Sequence, residues 1–141
     1  GYAINIGAKM SKGKVLIISC AEMFHLNDCI VHLTLPVLAN QKRLSIPIAR
    51  DDQDGSFLRH LETNQGKYDL VEFFKYPHLN IRLPFLMGIS REEFFAIGGY
   101  DEDFTGIGYD DNDLVLRAYS GCSKALQGKK TIVKKIKLLY I

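Results

Sequence analysis

"FLMGISREEFFAIGGYDEDFTGIGYDDNDLVLRA", residues 85–118, decides how this chain is read. It begins with a short apolar run, residues 86–90, that reads as a strand interrupted by Gly88. "REEFFAIG", residues 91–98, follows as a short helix closed by the Gly98–Gly99 pair. Residues 98–113 then crowd together five aspartates, one glutamate and four glycines. Carboxylates this close repel one another, so something must compensate: a metal ion, a helix N-terminus, a reaction that needs a base, or solvent. Asp110 stands where a helix N-cap belongs, and Asp113 falls three residues later, where a carboxylate can also meet free backbone amides. "DLVLRAYS" continues as helix, with Asp113 and Arg117 paired at i, i+4.

Outward from this stretch, short helices and strands alternate. Residues 3–12 have a helical pattern with Ile4, Ala8 and Met10 on the apolar side, and Gly13 stops it. Residues 14–20, "KVLIISC", read as a buried strand. Asn27 or Asp28 can cap a helix carrying Ile30, Val31, Leu33 and Leu35, which Pro36 should end or kink unless a helix begins there. Residues 44–49 read as a strand running into an acidic turn, 57–63 as a short helix, 70–74 as strand-like, and 130–141 as one or two strands. The alternation predicts an α/β fold, taken as a single domain over residues 1–141.

Composition narrows the class. Apolar residues at 47% and charged residues at 24% suit a soluble globular chain, and no apolar run is long enough to span a bilayer. The first residues lack a basic segment followed by an apolar one, so a signal peptide is not expected. Cys20, Cys29 and Cys122 form no CxxC pair, which suggests free thiols in a reducing compartment and a cytoplasmic location. The net charge of +2 hides an asymmetry, since all 16 acidic residues precede residue 118 and six lysines follow it. That lysine-rich tail could touch nucleic acid, anionic lipid or another acidic surface, although a solvated lysine face on a strand or helix is the simpler reading.

Three readings compete for the acidic stretch. Asp101, Asp103 and Thr105 followed by Gly106 match the first half of an EF-hand loop, but Asn112 stands where a bidentate Glu is wanted. Aspartates in a Gly-rich turn also make Asx-turns and caps, which accounts for Asp110 and Asp113 but not for Asp111. A carboxylate in the first turn of a helix is also well placed to act as a general base, because the helix end favours the anion and fixes its direction.

Gly88, Arg91, Phe94, Gly98-Gly99-Tyr100-Asp101-Glu102, Gly106-Ile107-Gly108, Asp110-Asp111 and Leu114–Arg117 occur in an order that resembles GT-A-fold glycosyltransferases. The likeness is greatest to glycosyltransferase family 2 and the related galactosyltransferase C-terminal domain. The front of the chain, "AINIGAKMSKGKVLIISCAEMFH", resembles the helix, Gly turn and strand that lead into that fold's metal-binding Asp-x-Asp. Here Cys20 falls on the first acid and Glu22 on the second. A thiol is a poor ligand for Mn²⁺ or Mg²⁺ and a carboxylate a good one, so Glu22 would keep the metal role, with His25 one turn away.

The resemblance implies a partial GT-A α/β/α domain with a mixed sheet. It implies transfer of a sugar from a nucleotide-sugar, commonly a UDP-sugar, to a hydroxyl acceptor, with inversion. By position it makes Asp111 the base, with Asp110 binding the acceptor or sharing the catalytic role. Gly99, Asp101 and Glu102 would shape the acceptor loop, Gly88 would leave room for the donor sugar, and Arg91 would form an internal ion pair or approach the diphosphate. The family's nucleobase-gripping strands and the His after its last strand are not in the sequence, so a fragment is expected. Open strand edges would then suit a homodimer, and the tail would suit peripheral membrane contact rather than nucleic acid. The alternative is a non-catalytic module that binds a glycan, a partner chain or calcium through the acidic loop.

Overall fold

The computed structural model describes residues 1–69, 79–81, 84–104, 109–120 and 139–140. In chain order the elements are α1 (Tyr2–Met10), β1 (Val15–Ser19), α2 (Cys29–Ala39), β2 (Leu44–Ile46), β3 (Ala49–Asp51), α3 (Ser56–Thr63), β4 (Leu79–Ile81), β5 (Leu86–Ser90), α4 (Arg91–Ala96), α5 (Asp110–Ser120) and β6 (Leu139–Tyr140). The chain divides into two compact units, one comprising Gly1–Pro47 with Pro84–Ile141 and the other Ile48–Leu83.

The larger unit is mixed α/β. Its sheet has the order β1-β5-β2-β6, with β5 antiparallel to both neighbours and β2 parallel to β6. Every residue of β5 is buried, so Gly88 does not interrupt the strand; it pairs with Ile17 on one side and Ser45 on the other. A Cβ at Gly88 would lie 2.9 Å from the backbone oxygen of Leu33, so the missing side chain is what lets α2 lie close against the sheet. Side chains alternate across a strand, and Met87 and Ile89 therefore face the opposite way. With Leu16, Ile18 and Ile46 they meet Ala8 of α1, Phe94 of α4, Leu114 of α5, Ile97 and Tyr100 in one core. Helices thus cover both faces of the sheet. Each fully buried Leu or Phe contributes about 1.5–3 kcal/mol relative to exposure.

Several expected boundaries differ. The first helix ends at Met10, and Met10 is 77% exposed rather than inward. Pro36 lies inside α2 instead of ending it; the hydrogen bond it forgoes is to the carbonyl of His32, an exposed residue that water can satisfy. Leu33 and Val37 are the buried positions of α2, while Val31 and Leu35 face out. The strand expected over 44–49 is split into β2 and β3, and Pro47, which has no N–H for a ladder, ends the first compact segment.

The smaller unit holds β3 antiparallel to β4, with Ala49 opposite Ile81, and the helix α3. Asp52, four residues before α3, steadies its first turn, its carboxylate accepting from the N–H groups of Phe57 and Leu58. The strand-like residues 70–74 lie outside the described residues, as does most of the lysine-rich tail. Among the described residues no helix is long and apolar enough to cross a membrane.

Candidate functional site

The site is built on the turn that ends α4. Ser90 caps the start of that helix, its Oγ accepting from Glu93 N–H at 3.0 Å. At the far end the N–H groups of Ile97, Gly98 and Gly99 fold back onto the carbonyls of Glu93, Phe95 and Phe94. Gly98 and Gly99 both have positive φ, +89° and +67°. Gly99 is required twice over, since a Cβ there would also stand 2.7 Å from Asn5 Oδ1 and 3.1 Å from Phe94.

This double-glycine turn buries Tyr100, which is 1% exposed and packs against Phe94. Asn5, on the inward face of α1, holds the Tyr100 backbone on both sides. Its Oδ1 accepts from Tyr100 N–H at 2.9 Å, and its Nδ2 donates to Tyr100 C=O at 2.8 Å and to Glu102 Oε1 at 2.9 Å. Asp101 closes a local Asx-turn by accepting from Asp103 N–H at 3.0 Å. Glu102 and Asp101 are therefore both engaged in shaping the loop. Thr105, Gly106 and Gly108 fall outside the described residues.

Helix α5 opens at Asp110, with Tyr109 before it at φ +69°. Asp110 is thus the first helical residue rather than a preceding cap. Its Oδ1 accepts from Asp111 N–H, and its Oδ2 lies 3.2 Å from the Gly1 nitrogen. Asp113 turns inward. Arg117 Nε donates to its Oδ2 at 2.7 Å, Nη2 lies 2.7 Å from the same oxygen, and Nη1 donates to Ile97 C=O at 2.7 Å. Nη2 is close to Asp113 but poorly aligned for a hydrogen bond, so the pair is anchored through Nε. The i, i+4 pair read from the sequence is present, and it is a buried clasp between α5 and the end of α4.

Asp111 is the pivotal residue. It is half-buried, and its Oδ1 accepts from the Tyr100 hydroxyl. Burial pushes its carboxyl above the usual carboxylate range, the Tyr100 hydrogen bond pulls it back, and the charge of Asp110 adds to the rise. Burial, followed by the hydrogen bond and charge of Asp111, drives the Tyr100 phenol far above its usual range, so it stays a donor. Cys20, just past β1, belongs to the same neighbourhood: burial raises its thiol, and the charges of Asp111, Glu22 and Asp110 raise it further.

The structure therefore gathers Asp110, Asp111, Cys20 and Glu22, which the sequence held about 90 residues apart, into one electrostatic cluster with Tyr100. Glu22 is exposed, and His25 meets Ser19 Oγ at 3.0 Å. Among the described residues no group of three or more His, Cys, Asp or Glu is arranged to hold a metal ion, so Glu22 lacks a ready ligand set. Two expected site residues sit elsewhere. The space left by Gly88 is filled by α2, and the Arg91 guanidinium lies 4.8 Å over the Phe95 ring and reaches toward Lys9 C=O at 3.5 Å. Asn5 and Tyr100 lie in the segments that carry the resemblance but were given no role at the site. The signal for Asn5 was an amide between Ile4 and Ala8 on the inward face of α1.

Residues 73–137, a little under half of the chain, match the family model described as "N-terminal domain of galactosyltransferase". The match includes the double-glycine turn and the start of α5, and it supports a glycosyltransferase-like domain. The resemblance read from the sequence had pointed to the C-terminal domain of such enzymes over the same segment. No curated protein and no solved structure matches the chain.

Proposed function

We propose that this chain carries the acceptor-side part of a glycosyltransferase, with Asp111 as the general base. The observation that carries this is the hold of Tyr100 on Asp111 at the first turn of α5. One carboxylate oxygen is committed to the phenol. Among the described residues the other has no hydrogen-bond donor and can accept a proton, on a group whose basicity burial has increased. As the acceptor's O–H proton passes to Asp111, its oxygen forms a bond to the anomeric carbon of the donor. The bond from that carbon to the diphosphate oxygen breaks, and the electron pair leaves with the diphosphate, which gives inversion. Asp110, beside the base, would orient the acceptor by accepting from a second hydroxyl. The donor class we propose is a nucleotide-sugar, with a UDP-sugar as first choice. Glu22 would be the carboxylate offered to Mn²⁺ or Mg²⁺, with no second and third ligand beside it among the described residues.

The test is transfer or hydrolysis of UDP-sugars by the chain and by its Asp111→Asn variant. Loss of a positioned base costs about 10²–10⁴-fold. Unchanged turnover in Asp111→Asn refutes the base assignment. Tight Ca²⁺ binding that survives Asp111→Asn and is lost in Asp101→Asn would support the binding-module reading instead.

A further inference from the structure

We propose that Asn5 is a positioning residue for Asp111, acting through Tyr100. The inference rests on the reading of Asp111 as base. An apolar side chain would suffice for α1 to pack on the sheet, yet the helix buries an amide that is only 6% exposed. Both amide protons and the carbonyl oxygen of that side chain are used, two of the three bonds going to the N–H and C=O of the same residue, Tyr100. A two-sided grip of this kind fixes the peptide planes on either side of Tyr100. The phenol ring is buried, so fixing its backbone also fixes where its hydroxyl ends. Gly99 completes the lock, because any side chain there would displace Asn5 Oδ1. The result is a rigid relay from α1 to Asn5, to Tyr100, to Asp111.

The readout is the ¹³C-carboxyl NMR titration of Asp111, assigned by its disappearance in Asp111→Asn. The groups that act on this carboxyl are Tyr100 on the glycine turn, Asp110 on α5 and the Gly1 nitrogen, and the carboxylate acts in turn, with Glu22 and Asp110, on the Cys20 thiol past β1. Asn5→Ala should move the titration upward to meet that of Tyr100→Phe, and the double variant should move it no further. An Asn5→Ala titration equal to that of the wild type, or additive shifts in the double variant, would overturn the proposal. So would an Asn5→Ala chain that circular dichroism shows to be unfolded, since Asn5 would then be a determinant of the fold. This measurement needs no substrate. A failure of the base reading in the transfer assay therefore stays distinct from a failure of the relay.

Discussion

The hydroxyl of Tyr100 donates to Asp111 Oδ1, so the residue that leaves the double-glycine turn holds a carboxylate in the first turn of α5. Two segments that read in the sequence as separate motifs are one mechanical piece. The consequences can be measured.

The first concerns pH. The Tyr100 hydrogen bond lowers the Asp111 pKa against the rise caused by burial. Tyr100→Phe removes the lowering contribution only, so the carboxylate should lose its charge at a higher pH than in the wild type. The acid limb of any transfer activity should move toward neutrality, as a pH–rate profile would record. A limb that moves toward lower pH contradicts the assigned direction.

The second concerns stability at the site. The folded-state pKa of Asp111 lies above its unfolded value, so the favourable contribution is complete below the ordinary carboxylate pKa. It is lost as pH rises through the raised one. Asp111→Asn keeps an acceptor for Tyr100 and carries no charge. It should therefore melt higher than the wild type at pH 7, with the gap closing as pH falls below the carboxylate range.

A third prediction tests the cluster through its thiol. The charges of Asp111, Glu22 and Asp110 add to burial in holding the Cys20 thiol up. In a background with Cys29→Ser and Cys122→Ser, alkylation at pH 8 should be slow, and faster in each of Asp111→Asn, Glu22→Gln and Asp110→Asn. The order of the increases should follow the order of those charges. Equal rates in all four chains would mean that the carboxylates are not gathered around Cys20.

The buried clasp gives a fourth. Arg117→Ala takes the guanidinium from a buried Asp113 and a donor from Ile97 C=O. Removing one partner of a buried ion pair costs about 3–5 kcal/mol. An exposed helix pair would cost roughly 0.5 kcal/mol or less. Urea denaturation separates the two values.

Gly88→Ala probes the sheet. The added Cβ meets backbone atoms of Leu33 at 2.9 and 3.4 Å, which cannot rotate away as a side chain would. The expected cost is about 1–3 kcal/mol, the range for overpacked cores, read as a lowered melting temperature.

Local elements were largely legible. The apolar runs of β1 and β5, the Ser90 start and glycine end of α4, and the helix after Asp110 all follow from near-neighbour patterns. Pro36 misled because an exposed carbonyl tolerates the bond that proline removes. Pro47 misled because one apolar run serves two strands that pair with different partners. The Asp113–Arg117 pair was legible from its spacing, but its burial was not. Asn5 and Tyr100 had no local signal of their partnership, since 95 residues separate them. The same distance kept Glu22 and Cys20 from being read as neighbours of Asp111.

That separation also orders events in time. During synthesis α1 emerges long before Tyr100 exists, and at about 5–20 residues per second the wait is on the order of 5–20 seconds. Until then the Asn5 amide can bond only to water or to transient neighbours. A chain stopped anywhere short of Tyr100 leaves α1 without the peptide it grips. Within this chain the Asn5–Tyr100 grip can therefore close only when residues of the latter half reach back to the first helix.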